Sequence, residues 1–344
     1  MADAFGMATQ LAGNAVRFTW YSGVNWLLAR EAQRLGTRPR YTPQLPVPSR
    51  AELMADLRLL FLSDATAVRE GIYPPAEPAE SFTDHLRSLQ AMFADLPATL
   101  SRRAADDATS AAKAAGAQVL PDYYRQDFHF QTGGYLSEDS ARLYDAQVET
   151  LFYGAAGVMR RAGLRFIAHH MHGRDQRRTE MLDVACGTGR FLREARLAYP
   201  AMRLKGLDLS KTYLEEARRH LDGLRIVDLV AANAEEMPLA GESQDIVTAI
   251  FLYHELPGEV RRRVTAEIAR VLKAGGLFVF IDSLQMSDRP GWDGLLEAFP
   301  VRFHEPYFAH YATDQLDAMF AAAGLAHQEK SHSFLSKVMV RRKQ

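Results

Sequence analysis

The chain has 344 residues, 47% hydrophobic and 24% charged, a profile that excludes disordered and fibrous proteins and a length that accommodates about two domains. Lys and Arg total 41 against 42 Asp and Glu, a net charge of −1, so the basic surplus that neutralises nucleic-acid phosphates is missing and no nucleic-acid partner is expected. The single cysteine, Cys186, excludes an intrachain disulfide and a thiolate-rich metal site, in keeping with a reducing, cytoplasmic location.

The first residues lack the basic start of a signal peptide. The apolar run over 11–29 is interrupted by Asn14, Arg17, Thr19, Ser22 and Asn25, too polar for a membrane span. Trp20, Val24, Leu27 and Leu28 recur at helical spacing, which suits a packed helix face or a peripheral membrane contact. Two proline clusters, Pro39, Pro43, Pro46, Pro48 and then Pro74, Pro75, Pro78, impose extended or turn geometry. They separate expected helices over 11–36, 49–70 and 81–96. Alanine propensity favours another helix within 100–116, and 140–155 completes a mainly helical part over 1–150. Its aromatic segment Tyr123–Tyr135, with Gly133 and Gly134, has the composition of a lid or of core packing. His169, His170 and His172 are expected at a helix end, where cations complement the dipole.

From Thr179 onward, short apolar runs alternate with helical patterns. Strands are expected at 180–185, 202–207, 226–231, 246–251 and 277–282, with helices at 191–198, 214–221 and 259–272. That alternation implies βαβ units and a parallel sheet. A helix over 313–323, capped by Gly324, precedes strand candidates 326–330 and 334–340. So few residues separate these two that at least one runs antiparallel.

The most informative stretch is Leu182-Asp183-Val184-Ala185-Cys186-Gly187-Thr188-Gly189, a strand that ends in a glycine turn before a helix. Glycine permits close backbone approach to a ligand, and the helix start offers free N–H groups. Asp208 closes the next apolar run, Gly206-Leu207-Asp208-Leu209-Ser210, where a Rossmann-type site binds ribose hydroxyls. A dinucleotide fingerprint requires a third glycine, and Leu192 stands in that place, so NAD and FAD fit poorly.

With Ala232-Asn233-Ala234-Glu235-Glu236-Met237-Pro238, Asp245-Ile246-Val247-Thr248-Ala249-Ile250-Phe251 and Arg270-Val271-Leu272-Lys273-Ala274-Gly275-Gly276-Leu277, five motifs stand in order. Here the sequence resembles the class I S-adenosylmethionine-dependent methyltransferases, in the ubiquinone/menaquinone-biosynthesis-like, type 11 branch. The likeness covers about 179–283 and extends toward 340. It implies an α/β, Rossmann-like seven-stranded sheet in the order 3-2-1-4-5-7-6, strand 7 antiparallel, in a methyltransferase domain over 151–344. The helical part over 1–150 then selects the substrate or forms the lid.

The resemblance also implies residue roles. Ala185, Gly187 and Gly189 pass under the methionine portion of S-adenosyl-L-methionine, and Asp183 holds the turn or the cofactor amine. Asp208 binds the ribose hydroxyls, Leu209 packs on the adenine, and Asn233 and Ala234 meet its edge. The family often has Asp where Asn233 stands. Phe251 lies beneath the sulfonium, Asp245 opens its strand rather than touching ligand, and Tyr135 is the expected lid contact. His254, just past the fourth strand, is the candidate general base; the alternative is a helix-capping or pocket-lining histidine. Cys186 reads as a small packing residue. The segment holding His304, Glu305 and His310 suits an aromatic substrate wall better than a metal site, and no metal is expected. The expected activity is methyl transfer, on oxygen or carbon, to a small aromatic or lipophilic acceptor. The competing function is a catalytically silent scaffold that organises partners through the helical part.

Overall fold

The computed structural model describes residues 3–35, 41–78, 81–105, 107, 110–113, 117–130 and 133–344. Pro39, Gly116 and the 131–132 pair inside the expected lid lie outside the described residues.

Every regular element before residue 180 is helical among the described residues. Helices α1 (Ala4–Arg34), α2 (Arg50–Arg69), α3 (Phe82–Ala105), α4 (Glu138–Leu151) and α5 (Ala156–Met171) follow one another. Ser49 starts α2 through a capping box with Glu52, as its Ser-x-x-Glu spacing allows. The expected break near residue 96 is corrected; of the helix expected within 100–116, residues 100–105 continue α3, and 106, 108–109 and 114–116 lie outside the described residues. Pro97 sits inside α3, which ends at Ala105. Leu89, Met92 and Leu100 are buried along its length, and that packing outweighs the hydrogen bond a mid-helix proline removes. In α1, Val24 is buried against Leu89 and Met92, with Leu28 packed on them, while Leu27 stays 46% exposed. No helix among the described residues is long and apolar enough to cross a membrane.

The remainder builds one seven-stranded sheet, β3-β2-β1-β4-β5-β7-β6. Its strands are β1 (Glu180–Val184), β2 (Arg203–Asp208), β3 (Asp228–Ala231), β4 (Gln244–Ile250), β5 (Leu272–Ser283), β6 (Leu325–Ser333) and β7 (Ser336–Lys343). The first five pair in parallel, and β7 lies antiparallel to both β5 and β6. Crossover helices α6 (Arg190–Ala198), α7 (Lys211–His220) and α8 (Gly258–Val271) connect the parallel strands. Helices α9 (Asp293–Phe303), α10 (Phe308–Tyr311) and α11 (Leu316–Ala322) lead into β6. Phe334 and Leu335 form the β6–β7 turn, so the last strand starts two residues later than its apolar pattern suggests. Gly163 lets α5 approach the sheet: a Cβ there would stand 3.0 Å from Ile281 Cδ1.

A buried polar network fastens the first helices to this layer. Asp64 on α2 accepts from Arg161 Nε at 2.8 Å and Nη2 at 2.9 Å, from Gln10 and Asn14 on α1, and from the Tyr73 hydroxyl. Arg161 also donates to Glu194 on α6 at 3.0 Å. Burial opposes the charge on Asp64, but Arg161, Asn14 and Tyr73 hold its carboxyl below the usual range. Leu57 and Leu60 of α2 share one apolar core with β1, β4 and β5 residues, so a continuous core spans both sides of residue 150.

Asp64→Ala strands the Arg161 guanidinium in the interior, and equilibrium urea unfolding is expected to show a loss of about 3–5 kcal/mol. A depressed carboxylate stabilises the fold above its unfolded pKa and loses that effect as pH falls through the folded value. The gap between wild type and variant should therefore close on acidification below the ordinary carboxylate range.

Candidate functional site

Strands β1 and β4 are neighbours whose connections run to opposite sides of the sheet, so a crevice opens at their carboxyl ends. Both strands end in a left-handed residue that is not glycine, Ala185 at φ 56° and Phe251 at φ 57°. Such conformations cost about 1–3 kcal/mol each and cluster at ligand sites. Gly187 follows at φ 53°, with nothing closer to a built Cβ than Tyr213 at 4.0 Å, which leaves its backbone open to close approach.

The crevice is open to solvent, and its space with that open mouth included is about 720 Å³. Ala185, Gly187, Asp208 and Leu209 line it, joined by Asn233, Ala234, Phe251 and Tyr135, so eight expected cofactor residues share one wall system. Two others stand apart. Asp183 is buried within the sheet, where the Thr248 hydroxyl donates to it at 2.5 Å and burial pushes its carboxyl up to about 7. Gly189, at φ 74°, faces α7, and a Cβ there would lie 3.0 Å from Ala217 Cβ. It serves helix packing.

Asp208 accepts one backbone N–H on each oxygen, from Gly187 and Ser210, both at 2.8 Å. Burial lifts its carboxyl to about 6 against the pull of those amides. Its remaining lone pairs suit a vicinal diol. Apolar Leu209, Ala232 and Ala234 suit a flat ring nearby. The Asn233 amide is turned to Glu235, donating to its carboxylate at 3.2 Å and accepting from its N–H at 2.9 Å, so its side chain holds a turn rather than a base edge. Leu192 is buried with its Cδ1 only 2.6 Å from a Cβ built on Gly206, so that glycine accepts the helix side chain in place of a third glycine.

The aromatic segment covers the crevice. The Tyr123 hydroxyl donates to Glu235 at 2.6 Å and the Tyr135 hydroxyl to Glu255 at 2.5 Å, while Ser210 Oγ donates to the Tyr135 carbonyl. Tyr135 stacks on Phe128, centroids 5.2 Å apart. Beneath the fold of the segment, buried Asp127 accepts from Ser110 and Ala111. Five tyrosines line the crevice: Tyr123, Tyr124 and Tyr135 come from the expected lid segment, whereas Tyr144 and Tyr213 were missed as cleft residues. Tyr213 had a signal: it stands on the first turn of the helix that follows Asp208 and Ser210.

His254 is buried, its Nδ1 2.5 Å from Asp282 Oδ1. Burial pulls the imidazole down, but Asp282, Glu255 and Glu305 outweigh it and lift His254 to about 10, the imidazolium form. It does not line the crevice. Glu255 does, with Oε1 3.8 Å from His254 Nε2. This corrects the sequence expectation, because the short 253–255 helical turn directs the glutamate, not the histidine, into the wall.

Phe299 and Phe308 rings stand 4.8 Å apart, and Phe299 and Phe303 5.1 Å, an aromatic cluster in the segment expected to supply a wall. Glu305 lies buried beside it, 3.3 Å from His129 Nε2, while His304 faces Gln126 and His310 faces Arg261. No group of three metal-ligating side chains occurs among the described residues. Burial keeps the Cys186 thiol protonated, against Gly206. His170 is also a correction: burial drives it down to about 4, so it is neutral at its helix end.

The chain is similar to known proteins over part of its length. A family model described as methyltransferase domain matches residues 181–276. A demethylmenaquinone methyltransferase of Listeria welshimeri is 34% identical over 141 residues, 40% of this chain and 58% of that protein. A phthiotriol/phenolphthiotriol dimycocerosates methyltransferase of Mycobacterium tuberculosis is 34% identical over 128 residues, 36% of this chain and 44% of that one. The chain thus spans about half the length of these curated relatives, 58% of one and 44% of the other. A solved S-adenosylmethionine-dependent methyltransferase from Aquifex aeolicus is 17% identical with a TM-score of 0.38, over 48% of this chain and 82% of that one. The methyltransferase-domain match over 181–276 thus falls on the segment that carries the ordered motifs and the first strands of the sheet.

Proposed function

We propose that the chain transfers the methyl group of S-adenosylmethionine to a small aromatic or lipophilic acceptor, with oxygen or carbon as the accepting atom. The observation that carries this reading is the crevice at the β1–β4 switch point, with Asp208 on one side and a tyrosine lid over it. The residues present fit the cofactor. Gly187 offers an open backbone, Asp208 a diol acceptor, and Leu209 with Ala234 an apolar slot for a ring. Names of relatives directed at a quinone and at a lipid support a lipophilic acceptor.

When bound, S-adenosylmethionine supplies an electrophilic methyl group on a sulfonium. The chain supplies alignment and dryness. Asp208 would hold the ribose hydroxyls and Leu209 the adenine face. Phe251 would set the floor at the end of β4, in parallel ring contact with Phe152 at 6.2 Å. Tyr135, tied to Glu255, would close the roof and exclude water. Asp183, bonded to Thr248, would brace the glycine turn from within the sheet. The helices before residue 150 would carry the lid and, with the aromatic cluster of α9 and α10, select the acceptor.

Asp208→Ala should weaken S-adenosylmethionine binding at least tenfold by calorimetry, since hydrogen bonds to a charged group contribute about 1.5–3 kcal/mol; unchanged affinity removes the ribose assignment. Tyr135→Phe keeps the stack on Phe128 and loses the bond to Glu255, with an expected five- to tenfold weaker affinity, about 1–1.4 kcal/mol. Incubation with methyl-labelled S-adenosylmethionine and separate quinol, phenol, lipid and amine pools should label a quinol, phenol or lipid product. No labelled product in any pool would refute methyl transfer.

A further inference from the structure

We propose that Glu255 is the proton acceptor of the reaction and that the acceptor molecule carries a phenolic or enolic hydroxyl. The proposal rests on the methyl-transfer reading and names the substrate class for that same site.

Among the described residues two carboxylates line the crevice, Asp208 and Glu255. Both oxygens of Asp208 already hold backbone amides, and its place beside Leu209 belongs to the ribose end. Glu255 stands past the end of β4, next to Phe251 and Leu252, where a transferred methyl group would emerge. Its Oε1 accepts from Tyr135, whereas Oε2 accepts no hydrogen bond from the described residues and the side chain keeps 14% exposure. A carboxylate oxygen that is free, lines the crevice and is held by a lid tyrosine on its other atom has the geometry of a base awaiting an O–H. His254 is disqualified by position and by charge: its Nδ1 is fixed on Asp282, it is absent from the wall, and as an imidazolium it cannot take a proton.

The charged surroundings tune Glu255 toward this task. Burial raises it most, the imidazolium of His254 and the Tyr135 hydroxyl pull it down, and Asp282 on β5 with Asp208 on β2 push it up, leaving it near 7. Glu305, in the turn before α10, is itself raised by burial and by Glu255. Tyr124, Tyr144 and Tyr213 complete the facing groups, and Glu255 helps hold their hydroxyls protonated. A base whose pKa lies near the working pH is efficient for a weakly acidic hydroxyl. A neutral amine needs no base before transfer, so this arrangement favours the hydroxyl.

The step balances. The acceptor O–H bond breaks and its proton moves to Glu255 Oε2, while the oxygen forms the O–CH₃ bond. The methyl–sulfur bond breaks with its electron pair left on sulfur, which gives a neutral thioether. Glu255 then returns the proton to water.

The test uses the full chain with hydroquinones and catechols as probes and primary amines as the contrasting set. Glu255→Gln should lower turnover on the hydroxyl probes by about 10²–10⁴-fold, with S-adenosylmethionine affinity within threefold of wild type. Glu255→Asp should recover at least tenfold of that loss, which a merely structural role would not allow. Turnover of the wild type should rise with pH through about 7, and this limb should vanish in Glu255→Gln but persist in His254→Gln, moved to higher pH by loss of the cation that pulls Glu255 down. Independently of turnover, the infrared difference between ligand-free wild type and Glu255→Gln should contain a protonated-carboxyl band that titrates across the same range. Turnover of Glu255→Gln within fivefold of wild type, a pH limb lost with His254 instead, or methylation confined to amines would each overturn the assignment while leaving methyl transfer intact. A wild type that binds S-adenosylmethionine yet methylates neither set would overturn both.

Discussion

The side-by-side pairing of β1 and β4 is the constraint on which the site depends. Residues 181–184 of β1 pair in register with 246–249 of β4, and the Thr248 hydroxyl locks the two strands together through Asp183. Because the chain leaves these strands toward opposite edges of the sheet, no connection crosses the gap above their ends. Two left-handed residues, Ala185 and Phe251, turn the backbone away at that gap and leave it open. Asp208 reaches the same gap from β2, where its carboxylate caps the Gly187 and Ser210 amides.

What covers the gap comes from the helical part. The Asp64–Arg161 pair, with Gln10, Asn14, Tyr73 and Glu194 around it, joins α1 and α2 to α5 and α6. A buried pair of this kind contributes little net stability beyond an apolar alternative, but it tolerates no change of geometry, because either partner alone would be an uncompensated charge. It therefore fixes how α5, and through it α4 and the aromatic segment, meet the sheet. Tyrosines from the segment, from α4 and from α7 then converge on one cleft, with hydroxyls anchored on Glu235, Glu255 and Ser140.

The acid–base chemistry shows why position outranks residue type. His254 and Glu255 are adjacent, yet the turn at 253–255 sends one inward to Asp282 and the other to the cleft. The buried carboxylate makes the histidine a fixed cation. That cation, opposed by burial, sets the glutamate near neutrality. Residue type alone would select the histidine, as the sequence reading did.

Much of the fold was legible because parallel strands buried on both faces leave continuous apolar runs, and crossover helices leave their own period between them. The glycine turn, Asp208 and the order of motifs carry the resemblance to the methyltransferases, since local backbone needs dictate those residues. Eight of the expected cofactor residues meet in one cleft. The exceptions are instructive: Gly189 is dictated by the close approach of Ala217, and Asp183 by its strand partner Thr248, both contacts between elements distant in the chain. The continuation of α3 through Pro97, the neutral His170, the inward turn of His254 and the gathering of five tyrosines were decided only by tertiary structure. Burial, dielectric and packing between segments more than a hundred residues apart, such as Tyr135 and Glu255, leave no local period in the sequence.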